Sequence, residues 1–258
     1  MKKSVWLTLL EKDESWAKEL YQSIKQYGLQ AEGHFWVDDL EKMAWAGALD
    51  SLAKDNLGLW LIAGKAESLA QESVRYGLSL LTLALSGRRQ GSLPSIMIMP
   101  RSELNDEALP TALAGSEVLD PQAKLGPKLA ARANMPGSRV DSAYRLTVHP
   151  LTGLGPWFEL GPAPGDEWSG AMFGLDSGEI RAHGVGQAGK VPEKAVLEYQ
   201  MQGITLQADQ KQFTAWAVKN KLTNSDSYYL QVKGMPQEIL FGSFSEGQDA
   251  EMFRLKLY

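Results

Sequence analysis

The sequence predicts a two-part α/β protein. A doubly wound parallel sheet over residues 1–134 precedes a β-rich α+β domain over residues 135–258. In the first half, apolar runs without polar alternation are joined through helical segments, which is typical of a parallel sheet covered on both faces. After about residue 134, glycine and proline become frequent and helical periodicity largely disappears. The length of 258 residues also suits two domains of usual size.

The elements of the first half follow from apolar spacing. Trp16, Leu20, Ile24 and Tyr27 recur every three or four residues, and Gly28 ends that helix. The right-handed crossover rule then favours a doubly wound strand order that resembles flavodoxin-like or receiver-like topology. Strands are predicted at residues 5–10, 33–37, 59–63, 95–99 and, with thin apolar content, 116–119; helices are predicted at about 16–27, 40–48, 66–86, 105–113 and 121–133.

The second half is predicted to be an antiparallel sheet or a small open barrel. Residues 171–174 and 180–183 flank a turn at 176–178, and residues 196–208 can fold back at Gln202-Gly203, so both regions are interpreted as hairpins. One packed helix is predicted over residues 209–221, with Phe213, Trp216 and Ala217 on its apolar face. Further strands are predicted at residues 144–149, 228–232, 239–244 and 252–257.

Composition argues against several classes of partner. The net charge is -5, from 26 basic and 31 acidic residues, so there is no basic excess to neutralise nucleic acid or anionic lipid. There is no cysteine, which removes thiolate chemistry and is compatible with a cytoplasmic chain. The run at 5–10 is short for an export signal, and the longest apolar stretch, 78–85, is far below the ~20 residues that cross a bilayer. We therefore expect a cytoplasmic, bacterial protein that has neither a nucleic-acid nor a membrane partner.

A glycine-rich string at residues 184–191 satisfies the dinucleotide pattern G-x-G-x-x-G and nearly satisfies a phosphate loop. Val191 stands where a phosphate loop needs Ser or Thr after Lys190, and the string lies among predicted hairpins rather than between a strand and a helix. It is therefore interpreted as a loop that joins two strands, and no cofactor is predicted.

The predicted strand order of the first half resembles that of the receiver family. A receiver carries an acidic pair after the first strand, an Asp phosphoacceptor after the third, Ser or Thr after the fourth and Lys after the fifth. Glu11 and Asp13 match the acidic pair, but residues 62–64 offer no carboxylate; Ser102 fits only loosely, and Lys124 lies inside the next helix. The resemblance implies a receiver-like domain without a phosphoacceptor.

Candidate binding residues fall at strand ends. Ligands of doubly wound sheets sit outside the carboxyl ends of the strands, where Asp13, Asp38, Asp39 and Arg101 fall. Asp38-Asp39 can hold a divalent ion or act as a base, but an N-cap is favoured because it also explains their position. In the second half, His149 and His183 end predicted strands and can meet in space. No histidine spacing indicates a metal site.

These features favour a non-catalytic binding or regulatory module that recognises a protein partner or a small molecule. The alternative is an enzyme of unknown reaction with its site at the strand edge and the domain junction, where the carboxylates work with Arg101 or a histidine. Assembly into a homodimer through the Leu-rich third helix is a further hypothesis. The sequence leaves open whether the chain is an enzyme.

Overall fold

A computed structural model describes residues 3–89, 91–100, 102, 109–135, 142–244 and 251–258. The chain divides into two compact units. The N-terminal unit comprises Met1–Leu40, Ala44–Leu109 and Leu113–Val140, and the C-terminal unit comprises Glu41–Met43, Pro110–Ala112 and Asp141–Tyr258. The domain boundary after residue 134 stays a prediction, because residues 136–141 lie outside the described residues.

The N-terminal unit is built on a five-stranded sheet in the order β2-β1-β3-β4-β5, in which every neighbouring pair is parallel. The parallel sheet of an α/β unit is thus confirmed. Its strands are β1 (Ser4–Leu9), β2 (Gln30–Phe35), β3 (Leu57–Ala63), β4 (Ser95–Ile98) and β5 (Glu117–Leu119); its helices are α1 (Glu14–Gln26), α2 (Leu49–Leu52), α3 (Ala66–Ala70), α4 (Glu72–Ser86) and α5 (Leu125–Asn134).

Both faces of this sheet are covered at its centre. All seven residues of β3 are buried, as a strand covered on both sides requires. One face packs against α1 and α5 through a single apolar cluster that includes Leu7, Leu59, Leu20 and Leu129. On the opposite face, the Trp60 indole donates a buried hydrogen bond of 2.9 Å to the Thr8 hydroxyl, which joins β3 to β1.

Several predicted helices differ from the observed ones. The prediction of a helix at 40–48 is wrong, because Met43 has a positive φ of 50° that no α-helix accommodates. A 3-10 turn, Ala44–Ala48, and the single helical turn α2 lie there instead. The helix at 66–86 is divided at Gln71, whose ψ of 125° is extended. The last helix begins at Leu125, after a turn that contains Pro121. Of the helix at 105–113, residues 105–108 lie outside the described residues.

The leucines of α4 do not form an exposed surface. Its five leucines are all at most 8% exposed, so a homodimer through these side chains would require the core to open. The leucine-rich stripe that suggested such a dimer is a core-packing feature. The leucines concerned are Leu78, Leu80, Leu81, Leu83 and Leu85.

The C-terminal unit contains two antiparallel sheets, with the orders β10-β11-β8-β13-β14 and β6-β7-β12-β9. They face one another, since the rings of Phe158 on β7 and Phe173 on β8 lie 5.4 Å apart. Its strands are β6 (Tyr144–Leu151), β7 (Gly155–Pro162), β8 (Ala171–Leu175), β9 (Glu179–Gln187), β10 (Met201–Ala208), β11 (Lys211–Val218), β12 (Asp226–Lys233), β13 (Glu238–Ser243) and β14 (Met252–Lys256).

The prediction of a helix packed on this β-rich part is wrong, because its segment forms β11. Phe213, Ala215 and Ala217 are buried while Gln212 and Thr214 are exposed, a period of two that fits a strand. The other described residues of this unit from 142 onward also contain no helix. The β-rich, antiparallel character is confirmed.

Both predicted hairpins are also wrong. β8 and β9 flank the predicted turn but belong to different sheets, so the turn carries the chain from one sheet to the other. β10 continues past Gly203, and the chain reverses instead at Asp209, which has a positive φ of 54°. Sequence pattern placed β8 and β9 but not their partners, and it predicted two strands where the single strand β10 lies.

Among the described residues, no helix is both long enough and apolar enough to cross a bilayer.

Candidate functional site

The carboxyl ends of β1 and β3 form the first candidate site. The chain passes from β1 to β2 on one side of the sheet and returns to β3 on the other, so the strand order reverses between β1 and β3. Glu11 follows β1 and Lys65 follows β3. One oxygen of the Glu11 carboxylate accepts a 2.8 Å hydrogen bond from the Lys65 backbone N–H and another from the Ser68 hydroxyl. These bonds tie the start of α3 to the end of β1.

A hollow of about 490 Å³ opens beside these residues. Asp13 lies on its wall and also caps α1, since its side chain accepts a 2.9 Å hydrogen bond from the Trp16 backbone N–H. The structure therefore gives Asp13 a structural role at the place where sequence reasoning expected a ligand. The wall is formed by Glu11, Lys12, Asp13, Glu14, Ser15, Trp16 and Lys65.

Asp38 and Asp39 lie beyond the end of β2 and do not line this hollow. The Asp38 carboxylate accepts a 2.6 Å hydrogen bond from the Ser73 hydroxyl in the first turn of α4. The Asp39 backbone carbonyl accepts a 3.0 Å hydrogen bond from the Ala44 N–H. The favoured N-cap interpretation is wrong, because a turn over residues 40–43, and not an α-helix, directly follows these residues. Arg101 lies outside the described residues.

A buried carboxylate, Glu159 on β7, organises the second candidate site. Its side chain is 4% exposed and is contacted by residues of β6, of β12 and of the turn after β9. One oxygen accepts hydrogen bonds from the Ser227 hydroxyl at 2.7 Å and the Gly189 N–H at 2.8 Å, with Arg145 3.8 Å away. The other oxygen lies 2.5 Å from Nε2 of His149. His149, which the sequence analysis predicted as a binding residue, is thus oriented by Glu159, which the sequence analysis did not identify.

The electrostatics of this cluster favour a charged Glu159. Burial by itself would raise the pKa of Glu159, but the hydrogen bonds from His149, Gly189 and Ser227 outweigh it and hold that pKa below its usual value. Burial of the Tyr229 hydroxyl, with the nearby Glu159 charge, raises the pKa of Tyr229, which stays protonated. An ionised carboxylate in this position fixes the orientation of the His149 ring.

The glycine-rich string is only partly a loop, because residues 184–187 form the end of β9 and the turn that follows contacts this cluster. Its N–H groups at Gly189 and Lys190 donate to the Glu159 carboxylate and to the Tyr229 hydroxyl, the latter at 3.1 Å. A side chain at Gly186 would approach Pro192 to 2.9 Å, so the following segment lies close over the string. The donors that would cradle a phosphate already have partners within the protein.

His183 occupies a separate, buried position. The Tyr228 hydroxyl lies 2.7 Å from its Nδ1, and Gln200 Oε1 lies 3.2 Å from its Nε2. Burial lowers the pKa of His183, against a smaller opposing effect of the Gln200 hydrogen bond, so the neutral ring is favoured.

The structure does not bring His183 and His149 together. His149 shares a cross-strand row with Trp157, Gln231 and Ala182, and His183 directly follows Ala182 in β9. Successive residues of a strand point to opposite faces, so the two histidines lie on opposite faces of the four-stranded sheet. Among the described residues, no three His, Asp or Glu side chains are grouped as metal ligands.

Comparisons with known proteins leave the family open. No family model matches the chain, and no curated protein matches it. Among solved structures, the chain is similar to a 3-dehydroquinate dehydratase-like protein from Bifidobacterium longum, with 18% identity and a TM-score of 0.32. That likeness covers 52% of this chain and 96% of the other.

Proposed function

We propose that the chain is a non-catalytic binding or regulatory module and that the hollow beside Glu11 and Lys65 is its ligand site. One observation carries this proposal: the hollow lies between the ends of β1 and β3, where the strand order reverses. The order 2-1-3-4-5 is that of flavodoxin-like doubly wound sheets, whose ligands bind outside the carboxyl ends of the strands at this reversal. The order supports a flavodoxin-like or receiver-like topology for the N-terminal unit.

The contacts at this edge favour binding over catalysis. One oxygen of the Glu11 carboxylate accepts two hydrogen bonds, and the Asp13 carboxylate caps α1. Both acids are therefore fixed in position by the protein. A receiver would carry its phosphoacceptor directly after β3, but Gly64 stands there. Even a Cβ at Gly64 would come within 2.8 Å of the Leu10 side chain. These features support a receiver-like unit that is not phosphorylated.

The wall of the hollow indicates the class of ligand. It carries three carboxylates and two lysines beside the Trp16 indole. Mixed charges of this kind repel a polyanion and complement a small molecule that carries both a cationic and an anionic group. We therefore propose a small zwitterionic or polar metabolite as the ligand.

A thermal-shift panel of amino acids, nucleotides and sugar acids tests this proposal. A ligand present at ~100 times its dissociation constant stabilises the folded chain by ~2.7 kcal/mol. We expect a hit whose affinity falls at least tenfold in Glu11→Gln. Glu19→Gln, an exposed site on α1 outside the hollow, is the matched control. Unchanged affinity in Glu11→Gln, or phosphoryl transfer to Asp13 from acetyl phosphate and Mg²⁺, would refute the proposal.

An enzyme is the second candidate, favoured by the His149–Glu159 pair. A buried carboxylate that orients an imidazole is the arrangement that acid–base and nucleophilic enzymes use. A panel of chromogenic esters and phosphate esters separates the two candidates. Turnover by the wild type that His149→Asn abolishes would favour the enzyme, whereas no turnover by either protein favours the binding module.

A further inference from the structure

One edge strand of the C-terminal unit lacks the protection that the others carry. Among the described strands, six lie at sheet edges. Exposed edges invite pairing with other chains, and charged side chains are a common defence. Five of these strands contain Lys, Arg, Asp or Glu, whereas β10, with the sequence MQGITLQA, contains none; the five are β2, β5, β6, β9 and β14.

The two faces of β10 differ in polarity. Thr205 and Gln207 are exposed, whereas Ile204 and Leu206 are only partly buried and pack on an apolar cluster centred on Ala215. The alternation is therefore polar on one face and apolar on the other. A further strand alongside β10 would complete the burial of the apolar pair.

We propose that β10 pairs with β10 of a second copy of this chain in an antiparallel arrangement, which joins two five-stranded sheets into one. The ladder between β10 and β11 shifts register between Met201 and Ile204 and is regular from Ile204 to Ala208. The proposed two-fold axis passes through Leu206, the centre of this regular stretch. A two-fold axis perpendicular to a sheet keeps its faces aligned and gives an isologous interface.

The sequence of β10 is self-complementary about this axis. Leu206 then lies opposite Leu206 of the second copy, and Ile204 lies opposite Ala208 of the second copy. On the other face, Thr205 lies opposite Gln207 of the second copy. Residues directly opposite in an antiparallel pair share a face, so apolar meets apolar and polar meets polar. No like charges meet, because β10 carries none.

The size of the contact sets its strength. Pairing along five residues buries less than the ~1,200 Å² of a standard stable interface. The dimer is therefore weak and dissociates on dilution, so the dissociation constant can be measured by sedimentation velocity over a concentration series.

Charge substitutions on the polar face test both the pairing and its register. In the variant Thr205→Lys with Gln207→Lys, like charges lie directly opposite across the interface, and we expect dimerisation to weaken at least tenfold. In Thr205→Lys with Gln207→Glu, each lysine faces a glutamate, and we expect wild-type affinity or tighter. Adding salt should reduce the difference between the two variants.

β11 offers a matched control. Thr214 and Gln212 are exposed and lie opposite Thr205 and Gln207 in the β10–β11 ladder, one strand away from the edge. Thr214→Lys with Gln212→Lys adds the same charge to the same face and should leave the dimer unchanged. A wild type that stays monomeric at the highest concentration would overturn the proposal, as would a double-lysine β10 variant that dimerises like the wild type.

Discussion

Replacement of Glu159 by glutamine tests whether its buried carboxylate holds the four-stranded sheet and the glycine-rich string together. Glu159→Gln keeps the side-chain volume and removes the charge that accepts hydrogen bonds from Ser227, Gly189 and His149. Hydrogen bonds to a charged group stabilise by ~1.5–3 kcal/mol and neutral ones by ~0.5–1.5 kcal/mol, a loss of about 1 kcal/mol for each bond. Three bonds therefore predict a loss of about 3 kcal/mol in the free energy of unfolding, near the lower end of the ~3–5 kcal/mol for broken buried ion pairs.

Urea unfolding followed by ¹⁹F NMR of the 5-fluorotryptophan-labelled chain gives this free energy for the C-terminal unit. Trp157, Trp168 and Trp216 report on this unit separately from the tryptophans of the N-terminal unit. Glu179→Gln is the control, because Glu179 is 57% exposed and its ion pair with Arg181 contributes at most ~1 kcal/mol. A Glu159→Gln variant within about 0.5 kcal/mol of the wild type would refute the reasoning.

The same pair of proteins should show a defined pH dependence. The pKa of Glu159 is lower in the folded state than its ordinary value of 4.5, so its stabilising contribution is fully present above about pH 4.5. That contribution is lost as the pH falls through the folded-state pKa. The difference between the wild type and Glu159→Gln should therefore shrink as the pH falls below about 4.5, whereas a difference that grows in that range would contradict the assignment.

Three further predictions follow from buried or crowded groups. Burial lowers the pKa of His183 below 6.5, so its contribution to the free energy of unfolding is present above that pH and lost on acidification. The urea midpoint of the wild type should therefore fall between pH 7 and pH 5, and His183→Gln should reduce that fall; an unchanged pH dependence of the midpoint would contradict this. Gly33→Ala places a Cβ against the β1 backbone and should destabilise by ~1–3 kcal/mol or more, whereas Gly47→Ala meets nothing within 4 Å and should be neutral or stabilise by ~0.4–1 kcal/mol in thermal unfolding. Glu11→Gln weakens two hydrogen bonds at the start of α3, so amide exchange at Lys65 should quicken about fivefold, an effect of ~1 kcal/mol that Glu19→Gln should not reproduce.

The parallel sheet could be predicted because its signal is local. The runs at residues 5–10, 59–63 and 95–99 are apolar on both faces, and the segments between them are long enough for crossover helices. Their adjacency in one parallel sheet is confirmed. The thin fifth strand also exists, as β5, although only three of its residues pair.

The β11 error shows where local pattern is ambiguous. Phe213, Trp216 and Ala217 are spaced as on a helix, but Phe213, Ala215 and Ala217 are equally spaced as on a strand. The choice depends on β8 and β10, which hydrogen-bond to the two sides of β11. β10 directly precedes β11, but β8 (Ala171–Leu175) comes from a much earlier part of the chain. A residue window that contains only this segment has no access to those partners.

Glu159 could have been found from its neighbours in sequence. It lies between Phe158 and Leu160, and a charged residue inside an apolar strand is costly to bury unless it has partners. The identity of those partners could not be found this way, since Gly189 and Ser227 are 30 and 68 residues away along the chain. Only the pairing of β7 with β12 and the course of the chain after β9 bring them to the carboxylate.

By itself, the sequence determined the alternating α/β character of the first half, the β-rich character of the second and the absence of cysteine chemistry, because these depend on composition and on the spacing of neighbouring residues. Tertiary structure alone decided which strands pair, which face each histidine occupies and which groups surround Glu159. The physical reason is that hydrogen-bond pairing between strands and the satisfaction of a buried charge are made by residues far apart in the chain, and their meeting depends on the packing of the whole unit.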